Sequence, residues 1–156
     1  MSINTSNSCS RGFTLVEVLV VLVIIGLLAS IVAPNILDSA DKARVQKVHA
    51  DFKSIETALK IYRLDNFNYP TSEQGLEALV SKPAIDPIPA NWKKSGYLDE
   101  LPVDPWGRPY LYLSPSEYGD GAYDIYTLGA DGVNGGEDQN ADIGTWDKRQ
   151  NDEDGG

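Results

Sequence analysis

The chain has one cysteine, Cys9, and one histidine, His49, among its 156 residues. One thiol cannot form an internal disulfide, so stability has to come from packing, hydrogen bonding or a bound ion. Basic residues are also scarce. Thirteen Lys and Arg stand against 23 Asp and Glu, a formal net charge of −10. Such a field disfavours nucleic acid as a partner and suits cation binding or simple solubility. His49 lies one position from an apolar helical stripe and has no nucleophile at a readable spacing, so a packing or helix-surface role is expected of it. The many carboxylates show no spacing that separates an acid–base pair from solvated charge. Catalysis therefore lacks a motif. A membrane-anchored periplasmic hydrolase is the enzyme alternative, and a cleft with strongly perturbed carboxylates would favour it.

What the chain does have is a long apolar run. From Phe13 to Ala33 it covers about 21 residues, roughly 31 Å at about 1.5 Å per residue, which matches the hydrocarbon thickness of a bilayer. The one basic residue before it, Arg11, predicts that the N-terminus stays cytoplasmic and that the rest of the chain faces outward. The run is too long for a typical secretory h-region and leads into Pro34 and further helix rather than a small-residue cleavage site, so it is expected to be retained. Within it stands Glu17, a carboxylate costing about 2.5–3.5 kcal/mol at mid-membrane and less near the interface. Such an acid calls for a partner; the rival reading is a signal anchor that tolerates one acid. Gly26 and Pro34 interrupt the run without ending it. Pro34 removes the N–H that would bond the Ser30 carbonyl, which predicts a kink or a weakened turn.

Beyond Pro34, Val45, Val48, Phe52, Ile55, Leu59 and Tyr62 recur at steps of three and four, one face of an amphipathic helix extending to Asn66. That face has to be covered, either by a coiled-coil partner or, as the apolar residues downstream suggest, by the chain's own small sheet. Asp38 to Arg44 reads as a solvated junction. Thr71 with Gln74 three residues later fits a capping box, predicting a second short helix that carries Leu76, Leu79 and Val80 and stops at Pro83. Five prolines between Lys82 and Pro105 predict an ordered loop with Trp92 and Tyr97 as anchors. Asp104 to Pro109 is a turn sequence. Tyr110–Leu113 and Tyr123–Leu128 then predict an antiparallel strand pair joined by a long loop, and two strands alone need the long helix behind them. The segment from Lys148 to Gly156 is too polar and acidic to pack and is expected to be a disordered tail.

The expected fold is α+β: a long N-terminal helix, membrane-spanning in its first half and amphipathic in its second, packed on a small antiparallel sheet in a lollipop shape. The predicted divisions are a leader (1–12), a spanning helix (13–34), its amphipathic continuation (35–66), a head (67–147) and a tail (148–156).

One further stretch, Leu128 to Ile143, combines Asp131, Glu137, Asp138 and Asp142 with four glycines that let carbonyls and carboxylates converge. Hard oxygen donors suit calcium better than zinc, although the EF-hand register is absent. Taken alone, the stretch also reads as a turn-rich acidic surface loop.

Gly12-Phe13 followed by Thr14-Leu15-Val16-Glu17 resembles the processing motif of the type IV pilin and type II secretion pseudopilin family. The order Y-P-T-S-E-Q-G-L-E-A-L-V (Tyr69 to Val80), D-P-W-G-R-P-Y (Asp104 to Tyr110) and L-G-A-D-G (Leu128 to Gly132) is similar to that of the major pseudopilins. The resemblance spans nearly the whole chain from Arg11 to about Trp146. It implies that prepilin peptidase cuts between Gly12 and Phe13 and methylates the new Phe13 amine, and that Glu17 neutralises that amine on a neighbouring subunit. It also implies that the segment between Gly26 and Pro34 loosens as subunits pack. In the loop it implies a calcium ion held by the Asp131 and Asp138 side chains and by the carbonyls of Leu128, Val133 and Gln139, with Glu137 and Asp142 as possible substitutes.

The expected function is that of a non-enzymatic, homopolymerising fibre subunit: single-pass in the bacterial inner membrane with a periplasmic head, assembling as a pseudopilus. Its implied partners are minor pseudopilins, an inner-membrane assembly platform with a separate cytoplasmic ATPase, prepilin peptidase and an outer-membrane secretin. A type IV pilin of a surface pilus is the near alternative, although such pilins usually close a C-terminal loop with a cysteine pair. A minor pseudopilin fits less well because those subunits tend to depart from the Glu17 pattern or carry larger heads. A membrane-anchored periplasmic calcium-binding protein is the remaining alternative.

Overall fold

A computed structural model describes residues 13–147, without the side chains of residues 29–38. The expected leader, with Gly12, and the expected tail (148–156) lie outside the described residues. One α-helix, α1, runs from Leu15 to Asn66. It continues unbroken through both Gly26 and Pro34. Contacts divide the chain into two compact units, Met1–Ala40 and Asp41–Gly156.

In the first unit, the described apolar side chains from Phe13 to Leu28 are exposed. Among the described residues no helix is long and apolar enough to cross a membrane. The second unit holds the core. Val48, Phe52, Ile55, Leu59 and Tyr62 are buried, and removing each such apolar side chain from water is worth about 1.5–3 kcal/mol. Within this chain the stripe is therefore covered by its own head and not by a coiled-coil partner. Val45, the stripe's first residue, is 39% exposed and lies beyond that cover.

The sheet has three antiparallel strands in the order β1 (Leu111–Leu113), β2 (Asp124–Thr127) and β3 (Ile143–Gly144). Tyr112 faces Ile125 across β1 and β2, and Thr127 faces Ile143 across β2 and β3. The first two strands are those expected from the sequence. The third strand comes from the end of the acidic loop, where Thr145 N donates to the Ile125 carbonyl at 3.0 Å and Ile125 N donates to Thr145 Oγ1 at 3.2 Å.

The expected second short helix is a 3-10 helix, Leu76–Leu79, preceded by a turn. Its capping box is formed, with Gln74 N donating to Thr71 Oγ1 and Thr71 N to Gln74 Oε1, each at 3.2 Å. Gly75, at φ +63°, turns the chain between the box and the 3-10 segment, and a regular helix cannot be built through that residue. The Gln74 amide also donates to the carbonyls of Ile85 and Pro87 and so organises the proline-rich loop. Trp92 and Tyr97 anchor that loop as expected. Trp92 Nε1 donates to the Ala78 carbonyl at 2.8 Å, and Tyr97 packs on Tyr62 with ring centroids 5.2 Å apart.

Candidate functional site

At its N-terminus, α1 is capped by Thr14, whose Oγ1 accepts from Glu17 N at 3.2 Å. That bond satisfies one of the donors a helix start leaves unpaired. Glu17 is in the first turn with an exposed side chain, and no described residue forms an ion pair with its carboxylate. Phe13 is 80% exposed beside it. Gly26 has open space around its Cα. The two residues implied in assembly are therefore presented on an uncovered apolar surface, next to the exposed side chains of Leu15, Val18, Leu19 and Leu22.

The acidic loop begins as β2 ends. Gly132 N donates to the Leu128 carbonyl at 3.1 Å and Ala130 N to the Gln139 carbonyl at 2.8 Å, so each of these two carbonyls keeps one lone pair. Asp131 Oδ1 accepts from Val133 N at 3.0 Å, closing an Asx turn. Val133 itself is exposed. Asp138 occupies the left-handed region at φ +54° and opens a three-residue 3-10 turn. Gly129 (φ +60°) and Gly136 (φ +100°) pack against Asn140 so closely that a Cβ on either would fall 2.6 Å from its carbonyl oxygen.

The donor set fits calcium in kind, being made of carboxylate and carbonyl oxygens on a glycine-rich backbone. A second observation points the same way. Asp142 Oδ2 accepts from Gly135 N at 2.9 Å, while its Oδ1 is shut off from solvent with no hydrogen-bond partner. A carboxylate oxygen enclosed in that way needs a donor or a cation. Among the described residues no three acidic side chains gather closely enough to hold an ion by themselves. Carbonyls must therefore supply part of any coordination shell.

Two side-chain contacts that no local sequence signal marks fasten this loop. Gln139 Nε2 donates to Asp41 Oδ2 on α1 at 2.6 Å, and Asp41 also pairs with Arg44 at 2.6 Å. Arg108 Nη2 donates to the Gly129 carbonyl. Arg108 is supported by Asp104, which is 2% exposed. Asp104 accepts from Trp106 N (2.9 Å), Arg108 N (2.8 Å) and Thr127 Oγ1 (2.6 Å), and its Oδ2 lies 3.5 Å from Arg108 Nε. The D-P-W-G-R-P-Y stretch signalled a turn, but nothing local to it signalled what Arg108 would reach. His49 has the packing role expected of it, edge-on to Phe52 at 6.4 Å between ring centroids.

The family profile described as "Type II secretion system (T2SS), protein G" matches residues 35–146, which include the whole acidic loop. The chain belongs to this family. A second profile, "Prokaryotic N-terminal methylation motif", matches residues 7–33 and covers Gly12, Phe13 and Glu17. Among protein G relatives, "Type II secretion system core protein G" of Pseudomonas aeruginosa is 55% identical over 87% of this chain and 94% of its own length. The protein of the same name from Vibrio cholerae is 55% identical over 86% of this chain and 90% of its own length. The crystal structure of the major pseudopilin from the type 2 secretion system of enterohaemorrhagic Escherichia coli superposes with a TM-score of 0.65 at 49% identity, covering 73% of this chain and 96% of that one.

Proposed function

We propose that this chain is the major structural subunit of a type II secretion pseudopilus, a periplasmic fibre that helps export folded proteins across the outer membrane. The observation that carries this reading is the protein G family match over the head, joined to a methylation motif over the start of α1. The apolar run from Phe13 to Ala33 stores the subunit in the inner membrane, with the head in the periplasm. Prepilin peptidase cleaves after Gly12 and methylates Phe13. In the fibre, the Phe13 amine of one subunit pairs with Glu17 of its neighbour, the apolar helices bundle into a core, and the heads form the surface. Gly26 and Pro34 give the helix between them room to loosen as the bundle packs. Growth at the inner-membrane assembly platform, with minor pseudopilins at the tip and a secretin in the outer membrane, converts polymerisation into transport. The role is structural and not catalytic.

The head would hold calcium through the side chains of Asp131 and Asp138 and the carbonyls of Leu128, Val133 and Gln139, with the free oxygen of Asp142 available. A bound calcium ion supplies the positive charge that a loop carrying four acids needs in order to fold compactly. The residues do the rest. Asp131 caps the Val133 turn, Asp142 holds Gly135, and Gln139 ties the loop to α1 at Asp41.

The deciding experiment compares a secreted enzyme in periplasm and medium in a strain lacking this protein, with surface pili counted in the same cells. Trapped enzyme with intact pili is the expected result. Normal export with lost pili would assign the chain to a type IV pilus instead.

A further inference from the structure

We infer that Arg108 is a positioning residue for cation binding, fastening the Leu128–Gly132 arm of the acidic loop before the ion arrives. The inference rests on the reading of Leu128–Ile143 as a calcium loop. The Arg108 guanidinium donates to the Gly129 carbonyl, and its Nη1 stands where a side chain on Gly132 would begin. It thus lies against the turn that carries the Leu128 carbonyl and Asp131, which Gly132 N closes by donating to Leu128 O at 3.1 Å.

The guanidinium is itself held in place. Its Nε is 3.5 Å from Asp104 Oδ2, its carbon lies 5.9 Å from the centre of the Trp106 ring, and the Asp104 oxygen accepts from Thr127 Oγ1 at 2.6 Å. A chain of contacts therefore runs from β2 through Thr127, Asp104 and Arg108 to Gly129. A cavity of about 170 Å³, lined by Asp104, Arg108, Leu111, Thr127 and Leu128 among others, lies at the foot of the arm. The guanidinium borders that cavity and holds the arm on one side, while the bond from Ala130 N to the Gln139 carbonyl holds it on the other.

Two effects oppose each other at this position. A guanidinium repels a dication nearby, yet its charge is paired with a carboxylate that has no exposed side-chain surface, so the ion faces a nearly neutral pair. Against that, every backbone residue ordered only on binding weakens affinity roughly tenfold. Preorganisation outweighs repulsion, and losing Arg108 weakens calcium binding.

The test uses the processed full-length chain in detergent, titrated with calcium by calorimetry as wild type, Arg108→Gln and Arg108→Lys. Amide exchange at Gly129–Gly132 is measured in parallel in EDTA. Arg108→Gln is expected to bind calcium about tenfold more weakly and to exchange faster at Gly132 without calcium, and Arg108→Lys to recover part of both. Tighter binding by Arg108→Gln would overturn the inference, because repulsion would then dominate. So would an unchanged affinity with equal loss of thermal stability in EDTA and in calcium, the signature of a merely structural residue. If the wild type binds no calcium, the loop reading fails first and the inference falls with it. If wild type binds and Asp131→Asn does not, the loop reading stands and the inference is judged on Arg108 alone.

Discussion

Tyr110 donates its phenolic hydrogen to Asp51 Oδ2 at 2.6 Å, linking the residue before β1 to the C-terminal half of α1 across 59 positions of chain. The same carboxylate oxygen accepts from Lys47 Nζ at 2.6 Å, and Lys47 also donates to the Val103 carbonyl at 2.6 Å. The helix, the turn before β1 and the residue leading into β1 thus meet at one carboxylate, and Tyr110 also packs on Phe52 at 5.4 Å between ring centroids.

Tyr110→Phe should destabilise the head by about 1.5 kcal/mol, the lower end for a hydrogen bond to a charged group, because Asp51 keeps Lys47 as a partner. Urea unfolding of the detergent-solubilised chain, followed by tryptophan fluorescence, measures this. A loss below about 0.3 kcal/mol would mean that the bond is not made.

The same tyrosine sets an alkaline limit on stability. Burial pushes the Tyr110 phenol far above its ordinary value, with the Asp51 hydrogen bond and charge adding to it, and burial raises Tyr112 as well. A group whose folded pKa is raised holds its proton more tightly when folded, so its contribution is full below the unfolded pKa near 10 and is lost as pH rises beyond it. Stability should be flat in this respect up to about pH 9.5 and then fall. Tyr112→Phe should flatten the fall, and an unchanged slope in unfolding free energy above pH 10 would count against the assignment.

A buried carboxylate, Asp124, secures the loop between β1 and β2. Asp124 accepts from Ser116 Oγ at 2.7 Å, Glu117 N at 2.7 Å and Tyr118 N at 2.9 Å. Asp124→Ala leaves these donors without their acceptor and should cost about 3 kcal/mol. Exchange of the Glu117 and Tyr118 amides should accelerate selectively, and Asp124→Asn should restore part of the protection. Uniform acceleration over the whole head would point to global unfolding instead.

What the sequence made legible was local. The α1 stripe from Val48 to Tyr62 was readable because helical periodicity requires no knowledge of what covers it. β1 and β2 were readable because Tyr, Leu and Ile concentrate between turn signals. β3 was hidden because Ile143–Gly144 is too short to alternate, and its pairing is imposed by Ile125 and Thr145 from outside. The capping box at Thr71 and the short helix after it were legible, but that the helix is of the 3-10 kind and begins only at Leu76 was not, because Gly75 takes a positive φ. In the acidic loop the acids and the glycines could be read off by type. Their fastenings could not, since Gln139 meets Asp41 across 98 positions and Arg108 meets Gly129 across 21.

Two glycines separate backbone strain from collision. Gly107 has φ +83° with open space around it, whereas Gly129 has φ +60° and would place a Cβ 2.6 Å from Asn140 and 2.7 Å from the Ala141 carbonyl oxygen. Gly107→Ala should cost about 1 kcal/mol. Gly129→Ala should cost about 3 kcal/mol or more, because backbone on both sides of the loop has to move. Equal losses in thermal stability would show that the loop yields freely.

Calcium should stabilise the head by mass action, by about 2.7 kcal/mol at a hundredfold excess over Kd. Asp131→Asn and Asp138→Asn should each lower calcium affinity and shrink the calcium-dependent part of the melting temperature, with smaller changes in EDTA. Unchanged calcium-dependent melting in both variants would remove this loop as the site.

Glu17 should act between subunits and not within one. It lies exposed in the first turn of α1, and among the described residues no ion pair engages its carboxylate, so Glu17→Gln is expected to leave the folding of the head unchanged. An α-amine with pKa about 7.7–8.0 is mostly cationic at neutral pH, and a carboxylate from the adjoining subunit offsets the cost of burying it. Glu17→Gln removes that charge while keeping size and shape. Sheared fibres from cells overproducing the variant should fall at least tenfold, and export of a secreted enzyme should fall with them. Processing at Gly12–Phe13 and the thermal stability of the head should match wild type. Normal fibres from Glu17→Gln would show that apolar packing alone sets the register of the helices, and a destabilised head would place the residue's role inside the subunit.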